Sequence, residues 1–513
     1  MSILTPLIAT HGFTTGDLNT DGYVSVIPAF QKVYFADGRT YSATIGSSGF
    51  HKLDFINTRL VGAASGAFTK GEVMTQATSG AAGIFDETVT RGAATWHLVY
   101  RTTTTEFNTT NLITGATSTE TLTPTSVVAP PHWLNWTPAA NEYSATGGTL
   151  PDGGSNIGCL CFGRIFLNSM QNPHQWSCSR IFDALDWDTA STDVGSPTIS
   201  QNAKAGEVGD VIVAMIPYKD SYLTWGCANE IWILRSDPLQ GGVNTCISKA
   251  TGIFSPTSYC WDDKNNLYFL GSDGIYVLSS EAIINAQPPE NITKSRIPRL
   301  ITSLGLNRRT DRVCMAYDKQ RYGIQVSVTQ QDGQWAVGFW LDLRTGGLFP
   351  DTFQTGQIQS SLFYYNSYNA AERTLLLGGY DGYIRKYNET AKNDEGENTI
   401  DSYITIGPFL SNEKDPRKKI SVGEVSLTIG EDSNGVTVDI YGENSADLLT
   451  NRIKELQPAK VNKVLTGNNL QNTIIDKVSS VATAIKISNS TSNESWSIEE
   501  INVSLSNEGT KKG

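Results

Sequence analysis

The stretch Leu267-Tyr268-Phe269-Leu270-Gly271-Ser272-Asp273-Gly274-Ile275-Tyr276-Val277-Leu278 reads as two short strands joined by a tight turn. Both runs are aliphatic and aromatic, a composition that suits a pleated, half-buried surface. Asp-Gly between such runs is a strong hairpin signal, because the turn needs positive φ. The pattern returns at Val33-Tyr34-Phe35-Ala36-Asp37-Gly38-Arg39-Thr40-Tyr41 and at Leu375-Leu376-Leu377-Gly378-Gly379-Tyr380-Asp381-Gly382-Tyr383-Ile384. A looser copy is Gln331-Asp332-Gly333-Gln334-Trp335. Hairpins repeated along so much of the chain predict an all-β fold. They point to a β-propeller of roughly six to eight blades over residues 1–64 and 128–388.

Residues 65–127 interrupt that pattern and read as an inserted small β-module. Part of it is duplicated at an offset of 39: Phe68, Val73, Met74, Thr75, Ala77, Thr78 and Ser79 align with Phe107, Leu112, Ile113, Thr114, Ala116, Thr117 and Ser118. Twelve of residues 101–125 are Thr, which suits exposed strands; a Thr-rich linker is the competing reading. Residues 389–399 lack apolar periodicity and read as a linker. Beyond them, alternation at 425–429, 436–440, 485–487 and 501–505 predicts a C-terminal β-sandwich over 400–513, with a short helix near 445–456.

The chain has 513 residues, 18% charged and 10% aromatic, with 47 Gly. That excludes a coiled coil and a disordered chain. The formal charge is −12, and it is not localised: residues 65–127 hold 3 basic and 5 acidic groups, and residues 399–513 hold 12 and 15. A dedicated nucleic-acid binder should show a basic face, and none is visible. An acidic wall still suits a passage through which DNA slides without sticking. No run approaches the roughly 18 apolar residues of a membrane span, so no membrane insertion is expected. The opening Met1-Ser2-Ile3-Leu4-Thr5-Pro6 has no basic or apolar signal region, so no secretory signal is expected. Cys159, Cys161, Cys178, Cys227, Cys246, Cys260 and Cys314 then read as reduced, small core residues.

Chemical motifs are sparse. His11, His51, His97, His132 and His174 are scattered and form no H-E-x-x-H, and neither a G-x-S-x-G elbow nor a P-loop occurs. Asp183, Asp186 and Asp188 form the best acidic cluster; paired carboxylates can hydrolyse glycosides, but Asp at turns is ordinary. Asp17-Leu18-Asn19-Thr20-Asp21-Gly22 resembles the start of a calcium loop, yet Pro28 stands where the bidentate acid belongs, and an Asx turn explains it as well. Lys414, Arg417, Lys418 and Lys419 form a basic cluster, read as a solvated loop or an interface patch. No residue is assigned a catalytic, cofactor-binding or metal-binding role, and no cofactor is expected.

One ordered run carries a family resemblance. It comprises Pro130-Pro131-His132-Trp133-Leu134-Asn135-Trp136-Thr137-Pro138, Leu150-Pro151-Asp152, Gly163-Arg164-Ile165-Phe166-Leu167, Asn172-Pro173-His174-Gln175-Trp176-Ser177-Cys178-Ser179-Arg180 and Leu185-Asp186-Trp187. Ile216-Pro217-Tyr218-Lys219-Asp220, the segment Gly226-Cys227-Ala228-Asn229-Glu230-Ile231-Trp232-Ile233-Leu234-Arg235-Ser236-Asp237-Pro238 and Gly241-Gly242 complete it. The run resembles β-propeller tail hub or nozzle proteins, virion structural proteins of short-tailed bacteriophages, over roughly residues 30–390. The resemblance implies a non-enzymatic subunit of a sixfold ring that extends the portal and adaptor channel. Such a ring retains packaged DNA, contacts it without sequence specificity and releases it on infection. It also implies a virion location after assembly in the host cytoplasm. Within it, Trp133, Trp136, Trp176, Trp187 and Trp232 are expected to pack the core, and Arg180 and Arg235 to brace neighbouring blades. The competing functions are a receptor- or glycan-binding tail module and, behind it, a glycan-cleaving enzyme.

Overall fold

The computed structural model describes residues 11–510 except 15, 20, 45, 92, 295–303, 331–335, 353–358, 387–390, 395–397, 411–417, 432 and 467–470. The looser hairpin copy at 331–335, Lys414, Arg417 and part of the 389–399 segment lie outside them. The deciding stretch forms a hairpin, Leu267–Leu270 against Ile275–Leu278, with Leu267 opposite Leu278 and Leu270 opposite Ile275. Its turn works differently from the expectation. Gly274 is not in the positive-φ region; a Cβ there would instead meet Thr293 Oγ1 at 2.5 Å. At Asp37-Gly38 the glycine does take positive φ (87°), but it opens a long loop before the partner strand Phe50–Asp54.

The chain divides into two compact units, residues 1–386 and 387–513. In the first, consecutive strands build antiparallel sheets in chain order. Ser25–Ala29, Lys32–Ala36, Phe50–Asp54 and His132–Asn135 make the first. The second is Gly158–Cys161, Arg164–Asn168, Trp176–Cys178 and Thr198–Ile199. The third runs from Ile212–Tyr218 to Val243–Ser248, the fourth from Tyr259–Trp261 to Glu290–Asn291, and the fifth from Asp311–Asp318 to Leu348–Asp351. A three-stranded sheet, Gln359–Tyr365, Thr374–Gly379 and Ile384–Lys386, follows. Successive sheets share apolar cores: Phe166, Trp176 and Leu223 join the second to the third, and Ile216, Ile233 and Phe269 join the third to the fourth.

The expected six-to-eight-blade propeller is therefore corrected. The chain is all-β, with multiple open antiparallel sheets rather than a closed propeller. Among the described strands, no pairing joins one sheet to the next or the last to the first. The physical reason is that an Asp-Gly hairpin fixes pairing inside one sheet. Closure depends on long-range packing that no local turn encodes.

Between the third and fourth strands of the first sheet, the chain builds a seven-stranded sheet. It includes the flanking strands Asn57–Val61 and Ser126–Val128 and is ordered 126–128, 57–61, 94–101, 81–91, 73–76, 113–115, 121–122. The duplicated halves lie side by side. Val73–Gln76 pairs antiparallel with Ile113–Gly115, and Thr75 faces its own equivalent, Thr114. Their equivalent apolar residues, Phe68 with Phe107 and Met74 with Ile113, enter one core.

The second unit stacks two sheets. One is ordered Ser402–Leu410, Ala482–Asn489, Val436–Glu443, Val461–Leu465. In the other, Lys418–Ile429 pairs with Ile498–Thr510 on one side and with Gln471–Ile474 and Val478–Ser480 on the other. Val422, Val425, Val438, Ile440, Ile485 and Ile487 fill the space between them. The helix Ala446–Lys454 is capped by Ser445, whose side chain accepts from the Leu448 N–H.

Candidate functional site

The densest charged cluster joins the first sheet to the inserted module. Lys32 sits opposite Asp54 in the strand register, and period-two alternation puts Lys52 on the face of Asp54. Asp86 and Glu87 are consecutive and would normally point to opposite faces. A bulge between Phe85 and Glu87 re-aims them, so that both meet the lysines. Lys32 Nζ lies 2.7 Å from Asp86 Oδ2 and 3.4 Å from Asp54 Oδ2, and Lys52 Nζ lies 2.6 Å from Glu87 Oε1. Asn57 Nδ2 donates to both Asp54 (2.6 Å) and Asp86 (2.8 Å). Asp54 is 0% and Lys52 1% exposed.

Burial opposes the charge on Lys32, but Glu87, Asp54 and Asp86 outweigh it and raise its pKa above the usual lysine value. Burial likewise opposes ionisation of Asp86, and Lys32 overrides it, lowering the Asp86 pKa. Carboxylate oxygens of Asp54, Asp86 and Glu87 lie within 4.8 Å of one another, a spacing that can hold a cation. Two lysine ammonium groups already contact those oxygens. The arrangement thus acts as a brace that anchors the module. Nothing in the sequence pattern singled it out, although two charged residues inside the short run Phe50-His51-Lys52-Leu53-Asp54 were a usable signal.

The acidic run at 183–188 is structural in its contacts. Asn141 Nδ2 donates to Asp183 (3.1 Å) and Asp186 (3.0 Å), and Ser144 donates to Asp188 (2.7 Å). Arg180 Nε holds Asp186 at 2.6 Å, while its other nitrogens grip Asp193 at 2.8 and 3.0 Å. Those bonds, led by the one to Asp193, push the Arg180 pKa up. Arg180 and Ser191 hold Asp193 below the usual carboxylate range. The hydrogen bonds of Arg180 stay within its own loop rather than reaching carboxylates or carbonyls of a neighbouring sheet, and its guanidinium lies over the ring of Tyr143, 4.1 Å from the centroid, in the segment between the first and second sheets. Arg235 does reach across, donating to the Ile284 carbonyl at 2.6 Å. The stronger brace is Arg164, which the sequence reading did not single out. It is fully buried and bonds Asp237 at 2.7 Å and the carbonyls of Ser179, Gly195 and Ser196.

The remaining motifs are also engaged by the fold. Asp17 accepts from the Thr14 N–H at 2.7 Å and faces Arg91 at 3.7 Å. Asn19 Oδ1 accepts from the Asp21 N–H, an Asx turn. Lys419 sits opposite Glu508 across two strands. Trp133, Trp136, Trp176 and Trp187 are buried, and Trp232 packs against the core of the second and third sheets. Six of the seven cysteines are buried and all seven are free thiols. Burial pushes the Cys178 pKa up to about 12 and that of Cys314 to about 11.

Aromatic residues mark the first hairpin turns of three sheets. Phe30, Phe162 and Tyr322 all carry positive φ there, as does nearby Phe182. Phe182 is 75% exposed and meets Phe30 edge-on at 6.4 Å. Bulky residues rarely adopt this backbone; Phe30 and Phe162 pack against the cores beside them, whereas Phe182 and Tyr322 are exposed at the surface.

No protein-family model matches the chain, and no curated protein matches it. Among solved structures, Hsv2 of Kluyveromyces lactis aligns at 8% identity and TM-score 0.25, covering 64% of this chain and 97% of that one. The extracellular domain of BT4673 from B. thetaiotaomicron aligns at 10% identity and TM-score 0.34, covering 89% of this chain and 53% of that one. Oligogalacturonate lyase from Vibrio parahaemolyticus aligns at 9% identity and TM-score 0.24, covering 73% and 89%. At these TM-scores the likenesses carry no argument about this chain.

Proposed function

We propose that the chain is a non-enzymatic structural subunit of a bacteriophage tail. Its copies form a ring, sixfold as the resemblance implies, that extends the portal and adaptor channel, retains packaged DNA and lets it exit. The observation that carries this reading is the ordered motif run between 130 and 242. Its polar side chains at Arg164, Arg180, Asp186 and Arg235 brace loops and sheets. Such bracing suits a wall under load. The even acidity of the chain adds support, since it disfavours adhesion to the DNA backbone.

Cryo-electron microscopy of the purified chain, with native mass on the same sample, tests the reading. The expected result is a closed ring with an axial passage wide enough for duplex DNA. A closed ring with no such passage overturns it. A monodisperse monomer raises the second reading, a receptor- or glycan-binding tail module, to equal rank. The exposed aromatic tips at Phe182 and Tyr322 favour that reading, and a glycan array tests it.

A further inference from the structure

We infer that the sheet ordered Ser402–Leu410, Ala482–Asn489, Val436–Glu443, Val461–Leu465 continues head to tail into the same sheet of a second copy of this chain. The inference rests on the ring reading and names the surface that would close it. Exposed sheet edges are normally guarded by charge, proline or interruption, because an unguarded row of N–H and C=O groups recruits another strand. The two sheets of the C-terminal unit differ in where those guards fall.

In one sheet, the edge Ile498–Thr510 carries Glu499, Glu500 and Glu508. Its other edge is broken into two short strands, Gln471–Ile474 and Val478–Ser480. Neither suits continuous pairing. In the other sheet, the edge Ser402–Leu410 has no charged side chain in nine residues, and its one proline, Pro408, lies past residue 406, so the stretch 402–406 carries no guard. It leaves Tyr403 62%, Ile404 45% and Leu410 48% exposed. The opposite edge, Val461–Leu465, leaves Val464 65% exposed. Its single charge, on Lys463, is offset by Asp476 at 3.5 Å. Among the described strands, nothing pairs with either edge.

Geometry favours joining these two edges to each other. The sheet has four strands with strictly antiparallel neighbours. An even number means that Ser402–Leu410 of a second, identically oriented copy meets Val461–Leu465 antiparallel, so the ladder continues unbroken. A bulge between Ile406 and Phe409 ends the regular part of the first edge, leaving 402–406 to match the five residues of Val461–Leu465. Such a contact is heterologous, and it closes into a ring when its rotation permits.

The experiment uses the full chain, with native mass and electron microscopy of the unmodified protein and of Ile404→Lys and Val464→Lys. Both positions are exposed, and thermal melting confirms that each variant folds. The expected result is that either substitution alone converts rings to monomers. If only Ile404→Lys does so, the edge pairs with itself and the head-to-tail arrangement is wrong. Rings that survive both substitutions overturn the inference and leave the ring reading standing. A chain that stays monomeric at high concentration also overturns it, and leaves the ring reading to a map of the assembled tail.

Discussion

A single guanidinium illustrates how this chain uses charge. Arg164 is fully buried, and its guanidinium binds the Asp237 carboxylate, the Ser179 carbonyl and the carbonyls of the turn Val194, Gly195 and Ser196. Lysine cannot reproduce that planar, many-donor geometry. Arg164→Met should therefore cost about 3–5 kcal/mol, the usual penalty for stranding a buried partner, and Arg164→Lys should recover little of it. Equilibrium urea unfolding of the two variants measures this. His132 offers a second test at the same scale. Burial, then Arg59 and His11, outweigh the attraction of Asp54 and push its pKa down to about 4. Between the ordinary histidine value near 6.5 and about 4, the unfolded chain then binds more protons than the folded one. Stability falls as pH drops through that window, by on the order of 3 kcal/mol from this group. Burial lowers the pKa of His51 and His97 too, and they add in the same direction. His132→Gln should flatten the slope of unfolding free energy against pH between those values; an unchanged slope would show that His132 does not titrate this way. Neither residue was legible as special in the sequence. A buried Arg or His looks like a surface one until the partners, distant in the chain, are placed around it.

At the scale of elements, hairpins and the duplication were legible because both are written in neighbouring residues. The Leu267–Leu278 hairpin and the paired halves of the inserted module need only local alternation and self-similarity. What was not legible is why a particular residue sits in a turn. Gly274 is required by the nearness of Thr293, a contact nineteen positions along the chain, and not by its own φ. Glu72 shows the same limit. Its carboxylate accepts from the N–H groups of Thr69, Thr117 and Ser118 and from the Ser118 hydroxyl, so one half of the module caps a turn of the other. Burial opposes ionisation, but those four donors prevail and hold its pKa below the ordinary glutamate value. The stability this supplies is present above the unfolded pKa and is lost as pH falls through the lower, folded value. Glu72→Gln should cost about 1–3 kcal/mol, because an amide offers one weaker acceptor where the carboxylate has two. Amide hydrogen exchange should rise first at Thr117 and Ser118. Protection that stays unchanged there would mean that the turn holds itself.

For the whole molecule, composition was informative about strand content and charge, and silent about closure. The same hairpins are compatible with a closed ring of sheets and with the open sheets observed, since closure lies in how successive apolar faces meet. Charge remains the property that the proposed role depends on most directly. A chain with 39 basic and 51 acidic residues, net acidic in each of its sections, is poorly supplied with the cations that would displace counterions from duplex DNA. Two ammonium groups, on Lys32 and Lys52, are moreover held by carboxylates in the brace beneath the inserted module. The expected outcome is no retention of duplex DNA in a gel-shift or filter-binding assay, even near 50 mM salt, where non-specific binders hold strongly. Retention that weakens steeply toward about 200 mM would reveal a concealed phosphate-contacting surface, with the slope counting the contacts. That result would turn the wall of a passage into a clamp on the DNA. A ring that grips its cargo through many phosphates could not let it slide, so the assay separates passive retention from active holding.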